Sequence, residues 1–311
     1  MLEPAFLERK AIAAARGGRD FEAKTSGLWC TGSLEGLRRP CIAIVGTRAA
    51  TGYGRTQARR FAAELGMAGC CVISGLALGV DAAAHEGALE AGAPTIGVLG
   101  GGHRRFFPRR NLALAERIVT AGGAVVSPFA PEHDARPYQF LERNGIVAAL
   151  ADAVLVVEAP ARSGALNTAG WAAGRIPVLA VPGDVDRPHS QGCLALLRDG
   201  ATLARSPADV LEAAGVHGVQ PGLPLLNAER ATVDARSAAL MRALEGGAME
   251  FDRLVAESGV GVAEAIVALT LLELQGAVES RGSSTYARVG VTSSGEERAR
   301  EPRSNSAARL S

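Results

Sequence analysis

Six short apolar runs decide what this chain can fold into. They are CIAIVG, CCVISG, TIGVLG, AVVSP, AVLVVEA and PVLAVPG, in that order between Cys41 and Gly183. None alternates polar with apolar residues, and the segments between them, such as GRTQARRFAAELGMAG and GVDAAAHEGALEAG, are amphipathic or alanine-rich. Strands without alternation are buried on both faces, and strands separated by helices run parallel. The expected fold class is α/β: a Rossmann-like, doubly wound, mainly parallel sheet over about 41–215.

The flanks read differently. Residues 1–40 lack a clear period and are expected to form a short N-terminal extension. Glycine and proline crowd the stretch GVHGVQPGLPLLNAERATV, which marks a linker at 216–234. RSAALMRALEGG, MEFDRLVAESG and GVAEAIVALTLLELQGAV then give three helices, followed by a hairpin, ESRGSSTYARVG. Three helices and a β-wing describe a small winged-helix domain at 235–290. The polar tail, 291–311, is expected to be disordered.

Composition narrows the function classes. The chain has 311 residues, is 48% hydrophobic and carries a formal net charge of +1. That content suffices for a packed core, and any nucleic-acid binding must come from a local patch rather than a global field. Cys30, Cys41, Cys70, Cys71 and Cys193 show no C-x-x-C and no metal-ligand spacing. An odd set of cysteines in apolar runs suits a reducing cytoplasm. No stretch reaches the roughly 20 apolar residues of a membrane span, so a cytoplasmic protein with no membrane partner, no metal and no cofactor is expected.

In open parallel sheets, ligands sit beyond the carboxyl ends of the strands. The first such loop is GTRAATGYGR, which resembles a phosphate seat and holds Arg48. Its G-x5-G-x-G spacing is not the G-x-G-x-x-G of a dinucleotide site, and no acidic residue closes the next strand for a ribose. The second loop offers Ser74 and Gly75, then Asp81 and His85 one helical turn apart. They read either as an acid–base pair or as a helix-stabilising acid with His85 hydrogen-bonded to it, the plainer reading being preferred.

The third loop, GGGHRRFFPRRN, sets Arg104, Arg105, Arg109 and Arg110 around Phe106 and Phe107 and ends at Asn111. Cations that track phosphates beside aromatic faces that stack bases are the parts of single-strand recognition. A solvated loop whose phenylalanines plug the core is the alternative. Arg143 and Asn144 begin another helical stretch, and Glu158 ends the strand after it. Ser163, Gly164 and Thr168 open a further helix, where orphan amides make an anion seat, although Ser163 can equally act only as an N-cap.

AIVGTRAATGYG, VISGLALGVDAAAHEGALEAG, FFPRRN, RNGIVAALADAVLVVEAPARSGALNTA and VPGDVDRPHSQGCLALLRDGA resemble, in order and spacing, the DNA-processing protein A family (DprA, or Smf). LLELQGAVESRGSSTYAR is similar to that family's C-terminal winged helix. The resemblance implies a non-catalytic protein that binds single-stranded DNA, forms homodimers and loads a RecA-type recombinase onto incoming DNA during natural transformation. Carried onto this chain, it implies a DNA-backbone pocket of Arg48, Ser74, Gly75, Arg109, Arg143, Asn144, Ser163, Gly164 and Thr168. Additional DNA contacts would come from Arg104, Arg105, Phe107, Arg110 and Asn111.

The chain departs from the family pattern at Leu78 and Gly145, each standing where an arginine is usual, and at Asn167 and Phe107. Loss of two pocket arginines is expected to weaken DNA binding. The alternative function is a nucleotide-binding or phosphoribohydrolase-like protein of the same fold group. Against hydrolysis, RSGALNTAGW lacks the glutamate such enzymes carry after the threonine. The would-be recognition helix of the winged domain, VAEAIVALTLLELQG, has no lysine or arginine, so protein contact or a structural role is expected there rather than duplex reading.

Overall fold

The structure, a computed structural model, describes residues 3–216, 235–274, 277–280 and 284–289. The expected linker, apart from Val216, and the expected tail lie outside the described residues. The chain divides into two compact units, Met1–Pro224 and Leu225–Ser311.

The first unit opens with β1 (Ala5–Glu8), α1 (Arg9–Ala15) and β2 (Gly27–Gly32), followed by β3 (Cys41–Val45), α2 (Gly52–Met67), β4 (Cys71–Ser74) and α3 (Val80–Glu90). It continues through β5 (Thr95–Val98), α4 (Leu112–Thr120), β6 (Ala124–Ser127), α5 (Gln139–Leu150), β7 (Ala153–Val156) and α6 (Gly164–Ala172). It closes with β8 (Val178–Ala180), α7 (Gln191–Arg198), β9 (Thr202–Leu203) and α8 (Pro207–Ala213).

These nine strands form one sheet in the order β1-β2-β6-β5-β4-β3-β7-β8-β9. All neighbours from β6 to β9 are parallel, whereas β2 runs antiparallel to β6 and β1 antiparallel to β2. The strand β3 shows why alternation is missing from the sequence. Cys41, Ala43 and Val45 pack beneath α5 and α6, while Ile42 and Ile44 pack beneath α2 and α3. Both faces are covered, so every position is apolar.

Residues 5–32, read from sequence as an extension, instead lengthen the sheet. Trp29 pairs with Ser127 and Phe6 with Trp29. The segment is pinned through its own buried cation: Arg16, only 5% exposed, donates to the Ala149 carbonyl and pairs with Asp152 at 3.3 Å. β1 is a mostly exposed four-residue strand at the sheet edge, and β2 offers only Leu28, Trp29 and Cys30 as an apolar run, which hid them.

The second unit comprises α9 (Ala235–Ala243), β10 (Met249–Glu250), α10 (Phe251–Ser258), α11 (Val262–Leu274), β11 (Val278–Ser280) and β12 (Thr285–Arg288). Its antiparallel sheet has the order β10-β12-β11, and Leu240, Leu254, Leu269 and Leu272 lie in its core. This is the expected three-helix, winged arrangement.

Candidate functional site

The strand order reverses between β3 and β7: β4, β5 and β6 follow on one side, β8 and β9 on the other. Loops that leave β3 and β7 must diverge there, opening a crevice at the carboxyl edge. A cavity of about 330 Å³ occupies that crevice, lined among others by Thr47, Arg48, Gly75, Arg143, Asn144, Arg162, Ser163, Gly164 and Thr168. The backbone turn after β4, the buried face of α5 and the first turn of α6 form its walls.

Each wall has a local cause. Ser163, in an extended conformation, caps α6 by accepting from the Ala165 amide, and the Leu166 amide donates to the Ser163 carbonyl at 3.2 Å, so the first turn of α6 is engaged within the chain. Asn144 is held by the Gly164 carbonyl at 3.0 Å and by Asn167 at 3.3 Å, which ties α5 to α6. Arg143 is 3% exposed and donates through Nη1 to the carbonyls of Gly75 and Val98, while its Nε has no partner. Any side chain at position 75 would collide with that guanidinium, so glycine is required there for close approach.

Burial dominates the electrostatics of the floor. It pulls the Arg143 guanidinium down to about 10 despite Asp81, with Arg48 pushing the same way. Burial also raises the Asp81 carboxyl, against Arg143 and the amides of Ala77 and Gly75. Arg143 and Asp81 are therefore a buried, opposite-signed pair beneath the cavity. The charges that reach solvent are Arg48 and Arg162, both exposed cavity-lining residues, and neither makes an ion pair among the described residues. Arg48 lies 4.9 Å above the Phe140 ring, and Phe140 packs against the 54%-exposed Phe107 at 5.9 Å.

Several sequence expectations change. Ser74 is fully buried and donates to the Ile44 carbonyl at 2.6 Å, so its hydroxyl does not face the cavity. Asn111 is likewise buried, and its amide supports the β4 loop through Leu76 and Ala77 at 2.8 and 3.0 Å. Arg104 is occupied by Glu3 and Glu132, and Arg105 lies 3.9 Å from Glu132 and 3.8 Å from Asp134. Arg109 and Arg110 are exposed but do not line the cavity.

The Asp81–His85 bond does not form. Asp81 accepts from the Gly75 and Ala77 amides, whereas His85 meets Thr95 at 2.7 Å. Position 145 faces a different groove, against Trp171, and Leu78 is half-buried outside the lining. Neither departure removes a wall of this cavity.

The glycine loop after β3 also changes meaning. Glu158 accepts the Thr51 amide at 2.9 Å and hydroxyl at 2.7 Å, and Thr51 caps α2 through the Gly54 amide. A carboxylate of the chain itself therefore occupies the start of α2. Arg162 and Phe140 were missed by sequence reading. The available signal was an arginine immediately before the α6 cap.

Comparisons with known proteins agree with this architecture. The family model for DNA recombination-mediator protein A matches residues 18–215, and the DprA winged helix domain matches 226–282. The DNA processing protein DprA of Mycobacterium tuberculosis is 38% identical over 279 residues, covering 86% of this chain and 71% of that protein. Protein Smf of Escherichia coli is 41% identical over 187 residues, which is 60% of this chain and 50% of that protein.

Among solved structures, DprA from Streptococcus pneumoniae has a TM-score of 0.56 at 36% identity, covering 60% of this chain and 66% of that one. DNA processing protein A from Helicobacter pylori, described for its single-stranded DNA binding mode, has a TM-score of 0.58 at 29% identity. That match covers 67% of this chain and 94% of the Helicobacter chain. With the family model spanning most of the α/β unit, this chain belongs to the DNA recombination-mediator protein A (DprA) family.

Proposed function

We propose that the switch-point cavity binds the backbone of single-stranded DNA. The observation that carries this is two exposed arginines without an ion pair among the described residues, Arg48 and Arg162, lining the cavity beside the Phe107–Phe140 aromatic pair. Arginines hold phosphates, and exposed aromatic faces stack bases of any sequence. Support also comes from the Helicobacter relative described as binding single-stranded DNA.

The cavity performs no bond-making in this reading. Glu158 spends both oxygens on Thr51, and Asp81, the buried carboxylate beneath the cavity, accepts from the Gly75 and Ala77 amides, which disfavours the hydrolase alternative. The protein acts as a cytoplasmic, homodimeric mediator that holds incoming DNA and passes it to a RecA-type recombinase.

Fluorescence anisotropy of a labelled oligothymidylate, against duplex of equal length, tests the binding step. Tight binding of the single strand that weakens with salt and with Arg48→Ala is expected. Absence of binding at low salt overturns the reading. Light scattering checks the dimer, and recombinase assembly on protein-coated single strands checks the handover.

A further inference from the structure

A second, larger cavity lies on the other side of α5. Helical periodicity places Phe140, Asn144 and Val147 toward the switch-point cavity and Glu142, Gly145 and Ile146 toward the second one. Its volume is about 530 Å³, within the size range of sites for small ligands. Trp171 and Phe129 supply aromatic walls, and Arg9, Lys24, Glu22 and Glu142 supply charge.

Some of that charge is already committed. Arg175 pairs with Glu22 at 2.7 Å, and Arg9 donates to the Phe21 carbonyl at 3.0 Å. Lys24 and Glu142 make no ion pair among the described residues. Instead Lys24 lies over the Trp171 ring, 5.9 Å from its centroid. Position 145 is what keeps the space open. A Cβ there would already touch the Trp171 ring at 3.3 Å, so a longer side chain would run into the cavity or displace the indole.

We infer that this cavity binds a nucleotide unit, a flat nucleobase with its phosphate attached. An apolar ligand would strand Lys24 and Glu142, and a bare phosphate would leave the aromatic walls unused. A nucleotide satisfies both: the base stacks on Trp171, its amino group faces Glu142, and the phosphate draws the Lys24 ammonium off the ring. The unit comes either from a mononucleotide in solution or from a strand that leaves the switch-point cavity across α5. The strand source rests on the DNA-binding reading above, and the mononucleotide source does not.

Trp29 and Trp171 are the two tryptophans of the chain, so Trp29→Phe leaves Trp171 as the sole indole reporter in the full-length protein. Titration with deoxyadenosine monophosphate is expected to quench its emission, with inorganic phosphate producing no quench. Lys24→Ala weakens the response about tenfold, the scale of one charge-assisted hydrogen bond to phosphate. Gly145→Arg removes it while the far-ultraviolet circular dichroism spectrum is retained.

If only oligodeoxyadenylate quenches, and Arg48→Ala with Arg162→Ala abolishes that quench, the source is the strand. No quench by mononucleotide or oligonucleotide, or a quench untouched by both Lys24→Ala and Gly145→Arg, overturns the inference. Oligothymidylate anisotropy on the same variants reads the switch-point cavity separately. Intact anisotropy with a silent Trp171 therefore overturns only this inference, and a quench by mononucleotide without anisotropy overturns only the other.

Discussion

The switch-point cavity and the α11 face are two surfaces of the molecule that are chemically opposite. The cavity shows exposed arginines beside the Phe107–Phe140 aromatic pair. The α11 helix exposes Val262, Ile266, Val267 and Leu271, each 46–61% accessible, and has no lysine or arginine. Phosphate recognition needs cations, so the winged helix lacks the means to read a DNA backbone through α11. An exposed apolar stripe of this kind suits protein contact. Winged-helix shape alone therefore says little about what the domain binds.

That contrast can be broken or sharpened by measurement. The largest effect is expected beneath the cavity. Arg143→Ala strips the Gly75 and Val98 carbonyls of their donor and leaves Asp81 buried without its nearby cation, costing about 3–5 kcal/mol. Denaturant unfolding followed by tryptophan emission reads this directly, because both tryptophans belong to the α/β unit. Loss of DNA binding in that variant reports unfolding rather than a lost contact.

Acid should distinguish the two units next. Burial, with Arg143 adding to it, holds His85 down to about 3 from an ordinary 6.5. The unfolded chain therefore takes the proton first as pH falls. This contribution is whole above about 6.5 and is lost at roughly 1.4 kcal/mol per pH unit down to about 3. Asp81 runs the other way. Its raised carboxyl takes a proton more readily in the folded state, so it returns some stability at the acid end. His85→Gln is expected to flatten the decline between pH 6 and 4.5, by about 2 kcal/mol at the lower end. The winged helix, which has no histidine between 235 and 289, should show no such dependence.

Surface contacts come third. Arg48→Ala and Arg162→Ala are each expected to weaken oligothymidylate binding about tenfold, the value of a charge-assisted hydrogen bond. Each should also reduce the salt slope by about 0.7, with unfolding midpoints unchanged. Phe107→Ala should cost about 1 kcal/mol of binding through lost stacking. At the small end, Ile266→Glu on α11 should leave single-strand affinity intact and stability within about 0.5 kcal/mol. A fall in DNA affinity there would erase the contrast between the two surfaces.

Much of the architecture was legible in the chain. The non-alternating runs from Cys41 to Gly183 require a sheet covered on both sides, and glycine-bearing turns at the strand ends indicate where loops diverge. The helix-hairpin order after Ala235 gives the winged helix by the same reasoning. The two N-terminal strands escaped notice because β1 is a mostly exposed edge strand and β2 carries only three consecutive apolar residues, and they are secured by Arg16 and Asp152, 136 residues apart.

The site was legible only in outline. Glycines and arginines cluster at strand ends, and Arg48, Asn144, Ser163 and Gly164 do converge on one cavity there. Sequence spacing could not reveal which polar groups had already been spent. Ser74 is satisfied by Ile44 across 30 residues, Asn111 by Leu76 across 35, and Arg104 by Glu3 across 101. A side chain's hydrogen-bonding capacity is local, but its partners are assigned by packing.

Thus the sequence by itself determined the layers and the carboxyl edge, because periodicity and turn chemistry act over a few residues. The tertiary structure alone decided that Arg143 is a buried brace, that Glu158 fills the start of α2, and that Gly145 opens a groove beside Trp171. Those outcomes depend on which distant groups meet in a low-dielectric interior, where an unmet charge or donor is costly enough to dictate the arrangement.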